Sequence, residues 1–249
     1  MKIVASYSIK GGVGKTAASV NLAYASAKAG NETLLIDLDP QGASSFYFRI
    51  GTSKKEKKAY FFTKKNRLLA QIKGSNYKRL DILPANLSFR NFDIMLNSMS
   101  KSKKRLKELL SSLKNEYDLI ILDCPPNINL LSENVFNAAD MILVPVIPTT
   151  LSERTYEQLL NFFDNNAYHK KIIHPFFSMA QSKNKLHHQT IHDMEQRHPE
   201  FMNSIISFSN EIERMGLHRE PVLAYASKKS YVQSYRTLFN EIITLLAKK

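Results

Sequence analysis

Between a short β-branched run, Lys2 to Tyr7, and an alanine- and leucine-rich run, Thr16 to Lys28, the chain reads Lys10-Gly11-Gly12-Val13-Gly14-Lys15-Thr16. This segment constrains the fold more than any other. The glycines let the backbone turn tightly and bring several N–H groups toward one point, an approach that a Cβ would obstruct. Such a nest attracts anions, and the positive end of a helix starting near residue 15 adds to the attraction. A strand, a glycine-rich turn and a helix in that order are the setting of a phosphate-binding loop. In that setting Lys15 reaches the β- and γ-phosphates and Thr16 places its hydroxyl on Mg²⁺. The general pattern has a glycine five residues before Gly14, where this chain has Ile9. Lys10 is a second cation in a loop that needs only one.

Two acidic segments follow apolar runs. Leu34 to Leu38 leads into Asp37-Leu38-Asp39-Pro40-Gln41-Gly42, and Leu119 to Leu122 leads into Asp123-Cys124-Pro125-Pro126. Both place carboxylates at the C-terminal ends of buried strands, where ligands bind in open α/β sheets. Asp123 suits the Mg²⁺ shell, directly or through water, as the acidic partner of a phosphate loop. Asp37 and Asp39 are read as having separate jobs. A calcium loop starting at Asp37 fails on spacing, because position five is Gln41 and position twelve, which needs a bidentate Glu, is Phe48.

Strand and helix signals alternate from end to end of the 249 residues, which predicts an α/β fold: a mostly parallel, twisted sheet with helices on both faces, spanning 1–249 as a single domain. Leu130 to Ala139 is a predicted helix, Met141 to Ile147 a strand, and Thr150 or Ser152 the expected cap of a helix through Tyr156 to Phe163. Ile172 to Ala180 is the next strand, followed by a polar helix around His187 to Arg197. His188 and His192 are four apart, but no third ligand is apparent, and a solvated helix face is the expectation. Ser230 to Leu246 carries apolar residues at helical spacing and is expected to cover the sheet rather than to lie on a membrane. No apolar run is long enough for a signal peptide or a membrane span. One cysteine, Cys124, excludes an internal disulfide and suits a reducing cytoplasm; its expected role is packing.

These three motifs, in their order and spacing, resemble the ParA/MinD group of P-loop ATPases with a deviant Walker A motif, and within it the ParA partition ATPases. The resemblance implies the P-loop NTPase fold, ATP and Mg²⁺ as cofactors, and slow hydrolysis of ATP by in-line attack of water. It implies that Lys10 is the signature lysine, reaching across an ATP-sandwiched homodimer to phosphates bound by the other subunit. The implied nucleotide set is Lys10, Gly11, Gly12, Val13, Gly14, Lys15, Thr16 and Ala17. Asp39 helps to position the water, and Thr16, Asp37 and Asp123 form the metal side. Lys10, Lys15, Asp37 and Asp39 are the residues expected to carry catalysis. No arginine finger is recognisable, so stimulation by a ParB-like or adaptor partner is expected.

The net charge of +13 exceeds what the loop needs and favours polyanions, here non-specific DNA of the nucleoid. Lys54, Lys55, Lys57, Lys58, Lys64 and Lys65 surround Tyr60, Phe61 and Phe62. Lys101, Lys103, Lys104, Arg105 and Lys107 crowd the start of a predicted helix, and Lys228, Lys229, Arg236, Lys248 and Lys249 lie near the end. No helix-turn-helix module is expected ahead of the P-loop strand. Departures from the family point to an outlying branch: Thr16 is followed by Ala17 and Ala18, and Ile206 to Glu211 lacks the arginine that some chromosomal relatives use on DNA. The competing expectations are a MinD-like membrane regulator and an ATP-using maturation or metabolic enzyme on the same scaffold.

Overall fold

The computed structural model describes residues 1–51, 65–85, 96–97 and 102–248. Among the described residues, eight strands form one sheet: β1 (Lys2–Ser6), β2 (Thr33–Asp37), β3 (Lys73–Gly74), β4 (Leu80–Leu83), β5 (Leu119–Asp123), β6 (Met141–Val146), β7 (Ile173–Ala180) and β8 (Ile205–Ser207). Their order is β3-β4-β2-β5-β1-β6-β7-β8, and every pairing is parallel except that of the two-residue edge strand β3 with β4. Parallel neighbours require crossovers over the sheet, so helices cover both faces and the central strands read as unbroken apolar runs.

Alternation along the strands sorts side chains between two cores. Ile3, Ala5, Leu34, Ile36, Ile120 and Leu122 face α4 (Arg105–Ser111), α5 (Leu130–Ala138), α6 (Thr150–Asn165) and α7 (Lys185–Arg197). Val4, Leu35, Leu119, Ile121, Met141 and Leu143 face α1 (Lys15–Lys28) and α11 (Ser230–Ala247). The short helices α2 (Ala43–Tyr47), α8 (Asn210–Glu213), α9 (Met215–His218) and α10 (Val222–Tyr225) border that second face, and α3 (Lys65–Leu69) precedes β3.

Helix α1 is buried almost continuously from Ala18 to Ala27 rather than along one stripe. Its small residues, among them Ala18, Ser19, Ala23, Ala25 and Ser26, let the sheet and α11 approach closely from different sides. Inside this packing Asn21 is fully buried and fully used. Its Nδ2 donates to Ala17 O at 2.8 Å, and its Oδ1 accepts from Leu223 N at 3.1 Å, which ties α10 to α1.

Predicted boundaries hold within one or two residues for β1, α1, β2, β5, α5, β6, β7 and α11. The start of α6 is corrected: Thr149, in extended conformation, is the cap, and its side chain accepts from Ser152 N. Helix α11 commits Val232, Tyr235, Leu238, Phe239, Ile242 and Leu246 to the core. No helix among the described residues is long and apolar enough to cross a membrane. Lys54 to Lys64, the aromatic trio at 60–62, Lys101 and Lys249 lie outside the described residues. Of the basic residues described, Lys65 pairs with Glu116 at 2.7 Å and Lys103 with Glu133 at 2.6 Å, while Lys228, Lys229, Arg236 and Lys248 are exposed.

Candidate phosphate and cation site

Strands β2, β5 and β1 are neighbours at the centre of the sheet, so the loops leaving their C-terminal ends converge. The loop after β1 runs through Gly12 (φ 70°) to Gly14 (φ 94°), both left-handed, before α1 begins. Gly14 has a second reason to lack a side chain, because a Cβ there would stand 2.8 Å from Ser178 Oγ on β7. At Gly11 and Gly12 a Cβ would meet nothing within 4 Å, so the outer side of the loop is open. Gly14 gives α1 no side-chain cap, which leaves first-turn N–H groups available to an anion.

Lys15 is buried, and its Nζ donates to the carbonyl of Lys10 at 2.9 Å, drawing the amine back across the loop. Burial pushes its pKa down, and Asp123 is the main influence in the other direction. Lys10 turns elsewhere: its Nζ donates to Ser152 Oγ at 3.0 Å, in the first turn of α6. Ser152 also lies 3.0 Å from Thr149 Oγ1, so the lysine, the serine and the cap residue form one chain of contacts.

Asp37 and Asp123 are direct register partners at the ends of β2 and β5, on the α1 side of the sheet. Both are buried. Asp123 Oδ1 accepts from Ser19 Oγ at 3.1 Å, and the hydroxyls of Ser44 and Thr16 also bond this carboxylate. Asp37 Oδ2 accepts from Ser45 N at 2.8 Å and from Ser45 Oγ at 2.6 Å. Its Oδ1 is sealed from solvent and has no hydrogen-bond partner among the described residues. Burial, reinforced by the neighbouring Asp123 charge, pushes the Asp37 carboxyl up to about 7. Asp123 is also raised, by burial first, with the hydroxyls of Ser44, Thr16 and Ser19 opposing.

An orphaned carboxylate oxygen beside a second carboxylate and a threonine hydroxyl makes a set of hard oxygen donors. That set fits Mg²⁺. Asp39 stands apart from this pair, beyond the end of β2. Its Oδ1 accepts from Gln41 N at 2.9 Å and its carbonyl from Gly42 N at 2.9 Å, so it stabilises the turn into α2 while remaining half-exposed. Val13 is buried, and Ala17 is half-buried on the first turn of α1.

The structure thus brings Lys15, Thr16, Asp37 and Asp123 together and places Lys10 against α6. Sequence reasoning missed the serines that hold the aspartates, Ser19, Ser44 and Ser45, and read Ser152 only as a helix cap and not as the partner of Lys10. No spacing rule marks them, although Ser44 and Ser45 directly follow the Gly42-Ala43 turn. Cys124 is buried beside the pair, its thiol pushed well up by burial, in line with a packing role. His188 and His192 bond different groups: His188 Nε2 meets Ser182 O at 2.7 Å, and His192 Nε2 meets Gln196 Nε2 at 3.0 Å.

Comparison with known proteins agrees with this geometry. A family model described as "AAA domain" matches residues 1–175. The sporulation initiation inhibitor protein Soj of Bacillus subtilis is 29% identical over 247 residues, covering 97% of this chain and 98% of that protein. The chromosome partitioning protein ParA of Caulobacter vibrioides is 27% identical over 256 residues, covering 98% and 94%. Among solved structures, a Borrelia burgdorferi plasmid partition protein bound to AMPPNP superimposes with a TM-score of 0.83 at 23% identity, covering 98% of each chain. Cobyrinic acid a,c-diamide synthase of Mycobacterium smegmatis, bound to an ATP analogue and magnesium, gives 0.79 at 22%, covering 98% and 94%. A glycine-rich loop under α1, paired strand-end aspartates and relatives matched along nearly their whole length lead to one conclusion: the chain belongs to the ParA/MinD family of P-loop ATPases.

Proposed function

We propose that this chain is an ATPase that partitions or positions a cargo, DNA or protein, by ATP-gated dimerisation and non-specific DNA binding. The observation that carries the reading is the buried pair Asp37 and Asp123 facing the phosphate loop, with Asp37 Oδ1 left without a hydrogen bond among the described residues.

Gly11 to Gly14 and the first turn of α1, through Ala17, cradle phosphate with backbone N–H groups. Lys15 exchanges the Lys10 carbonyl for phosphate oxygens. Thr16, Asp37 and Asp123 hold the cation, directly or through water. Mg²⁺ supplies charge neutralisation on the phosphate oxygens. Asp39, half-exposed beyond the metal side, orients the attacking water, and catalysis rests on positioning and charge compensation rather than on covalent chemistry. Lys10 leaves Ser152 to reach phosphates bound by a second copy of the chain. A ParB-like or adaptor partner stimulates a slow basal turnover, and the nucleoid is the surface on which the dimer rests. The fold by itself is shared with a diamide synthase, so the partition reading leans on the relatives that match nearly the whole chain.

Asp39→Ala with saturating ATP should give a dimer that binds random-sequence DNA, with affinity falling steeply as salt rises. A variant that stays monomeric in sizing experiments at saturating ATP overturns the gated-dimer reading. Lys10→Ala should keep nucleotide binding through Lys15 but lose the dependence of hydrolysis on protein concentration; unchanged turnover per chain would leave Lys10 without a role.

A further inference from the structure

The strongest arrangement outside the phosphate site lies where α6 meets the end of α7. Glu153 and Glu157 are four residues apart on α6 and so share one face of that helix. His198, which ends α7, comes to the same face. One carboxylate oxygen from each Glu and one ring nitrogen of His198 all lie within 4.8 Å of one another.

One feature sets this cluster apart from an ordinary solvated acidic face. His198 Nε2 is sealed from solvent and has no hydrogen-bond partner among the described residues. A buried imidazole nitrogen left in that state is unfavourable unless something completes it. Glu153 beside it is only 8% exposed, and its Oε1 is held by the ion pair with Arg197 at 2.7 Å.

We propose that Glu153, Glu157 and His198 form a binding site for a zinc-class transition-metal dication, separate from the Mg²⁺ of the phosphate loop. One imidazole and two carboxylates suit Zn²⁺, with a fourth position left for water, whereas Mg²⁺ favours all-oxygen sites. The charges agree. In a chain of net charge +13, this corner brings Glu153, Glu157 and Glu200 together around His198, with Arg197 paired to Glu153. The α7 C-terminus, where His198 N bonds Met194 O at 2.8 Å, adds the negative end of a helix. Arg197 is 54% exposed along its side chain, so it can turn to solvent and release Glu153. His198 is already oriented, its ring edge-on to Tyr156 at 5.2 Å and its Nδ1 3.6 Å from Glu200 Oε1. Binding would pin α6 to α7 one residue beyond Ser152, the contact of Lys10.

The test is equilibrium dialysis of the tag-free full chain against Zn²⁺, without nucleotide and with millimolar Mg²⁺, followed by elemental analysis. The expected result is about one zinc per chain, with affinity reduced at least about tenfold in both His198→Ala and Glu157→Gln, as for loss of a metal-site residue. Glu157 is exposed, so its variant should fold normally and keep its melting temperature without zinc. The double variant His188→Ala, His192→Ala should still bind. Failure of the unmodified chain to retain zinc overturns the proposal. So does equal retention by all variants, or loss only in the His188/His192 variant, which would place the metal on the exposed pair.

Discussion

Gly14→Ala tests whether the phosphate loop is shaped by its own sequence or also by a strand 164 residues away. Two separate costs arise from the geometry. The left-handed backbone at φ 94° is unfavourable for any residue with a Cβ, by about 1–2 kcal/mol. The new methyl would stand 2.8 Å from Ser178 Oγ, and relieving such overpacking costs a further ~1–3 kcal/mol. The sum, roughly 2–5 kcal/mol, corresponds to a fall of about 10 °C in melting temperature for a domain of this size. Denaturant unfolding of the nucleotide-free protein measures it, and a second background separates the two terms. In Ser178→Gly the steric part should disappear while the backbone part remains, giving a coupling energy of about 1–3 kcal/mol between positions 14 and 178. Additivity within about 0.5 kcal/mol would show that β7 does not shape the loop. A Gly14→Ala variant as stable as the parent would refute both terms.

Three further outcomes are expected. With the Asp37 carboxyl pushed up to about 7, the folded metal-free chain binds a proton that the unfolded chain has released above about pH 4. Stability in EDTA should therefore fall as pH rises from about 4 to 7 and then level off, and Asp37→Asn should flatten that slope and be the more stable protein at pH 8; a parallel pH profile for the two would refute this. Asn21→Ala should cost about 1–3 kcal/mol in chemical denaturation by leaving Leu223 N without its acceptor, and a loss below about 0.5 kcal/mol would mean that α10 does not depend on α1. Thr16→Ala should abolish the Mg²⁺ dependence of nucleotide affinity while leaving Mg²⁺-free binding close to that of the parent, measured by fluorescent-nucleotide titration.

The parts legible in sequence were those built from near neighbours. Lys10 to Thr16 is contiguous, and Leu34 to Asp37 and Leu119 to Asp123 are apolar runs whose ends announce themselves. Their register, which sets Asp37 beside Asp123, follows once both strands are buried on two faces. The pair Leu80–Leu83 and Lys73–Gly74 escaped notice because four and two residues are too short to show a period. The cap is Thr149 rather than the expected Thr150 or Ser152, since only backbone conformation distinguishes these nearby hydroxyl side chains. The serines around the two aspartates were invisible for another reason. Ser19 reaches Asp123 across 104 residues and Ser44 across 79, distances that no local pattern spans.

On the proposed reading, in which Lys10 reaches a second copy of the chain, its bond to Ser152 makes dimerisation an exchange reaction rather than an addition. A lysine that dangled in water would bring its whole charge-assisted bond to a new partner, whereas this one must surrender a bond at 3.0 Å before it gains another. A hydrogen bond from a charged donor contributes about 1.5–3 kcal/mol, so part of the gain from a phosphate on the far side of an interface would be offset by the loss of the serine on the near side. What remains is a smaller difference, and a smaller difference is more easily reversed. The same serine is left with Thr149 Oγ1 at 3.0 Å when the lysine departs, so its hydroxyl is not stranded and the return path stays open. On that reading assemblies are short-lived rather than permanent, and the lifetime of the proposed dimer should lengthen in Ser152→Ala, where Lys10 has no such bond to return to.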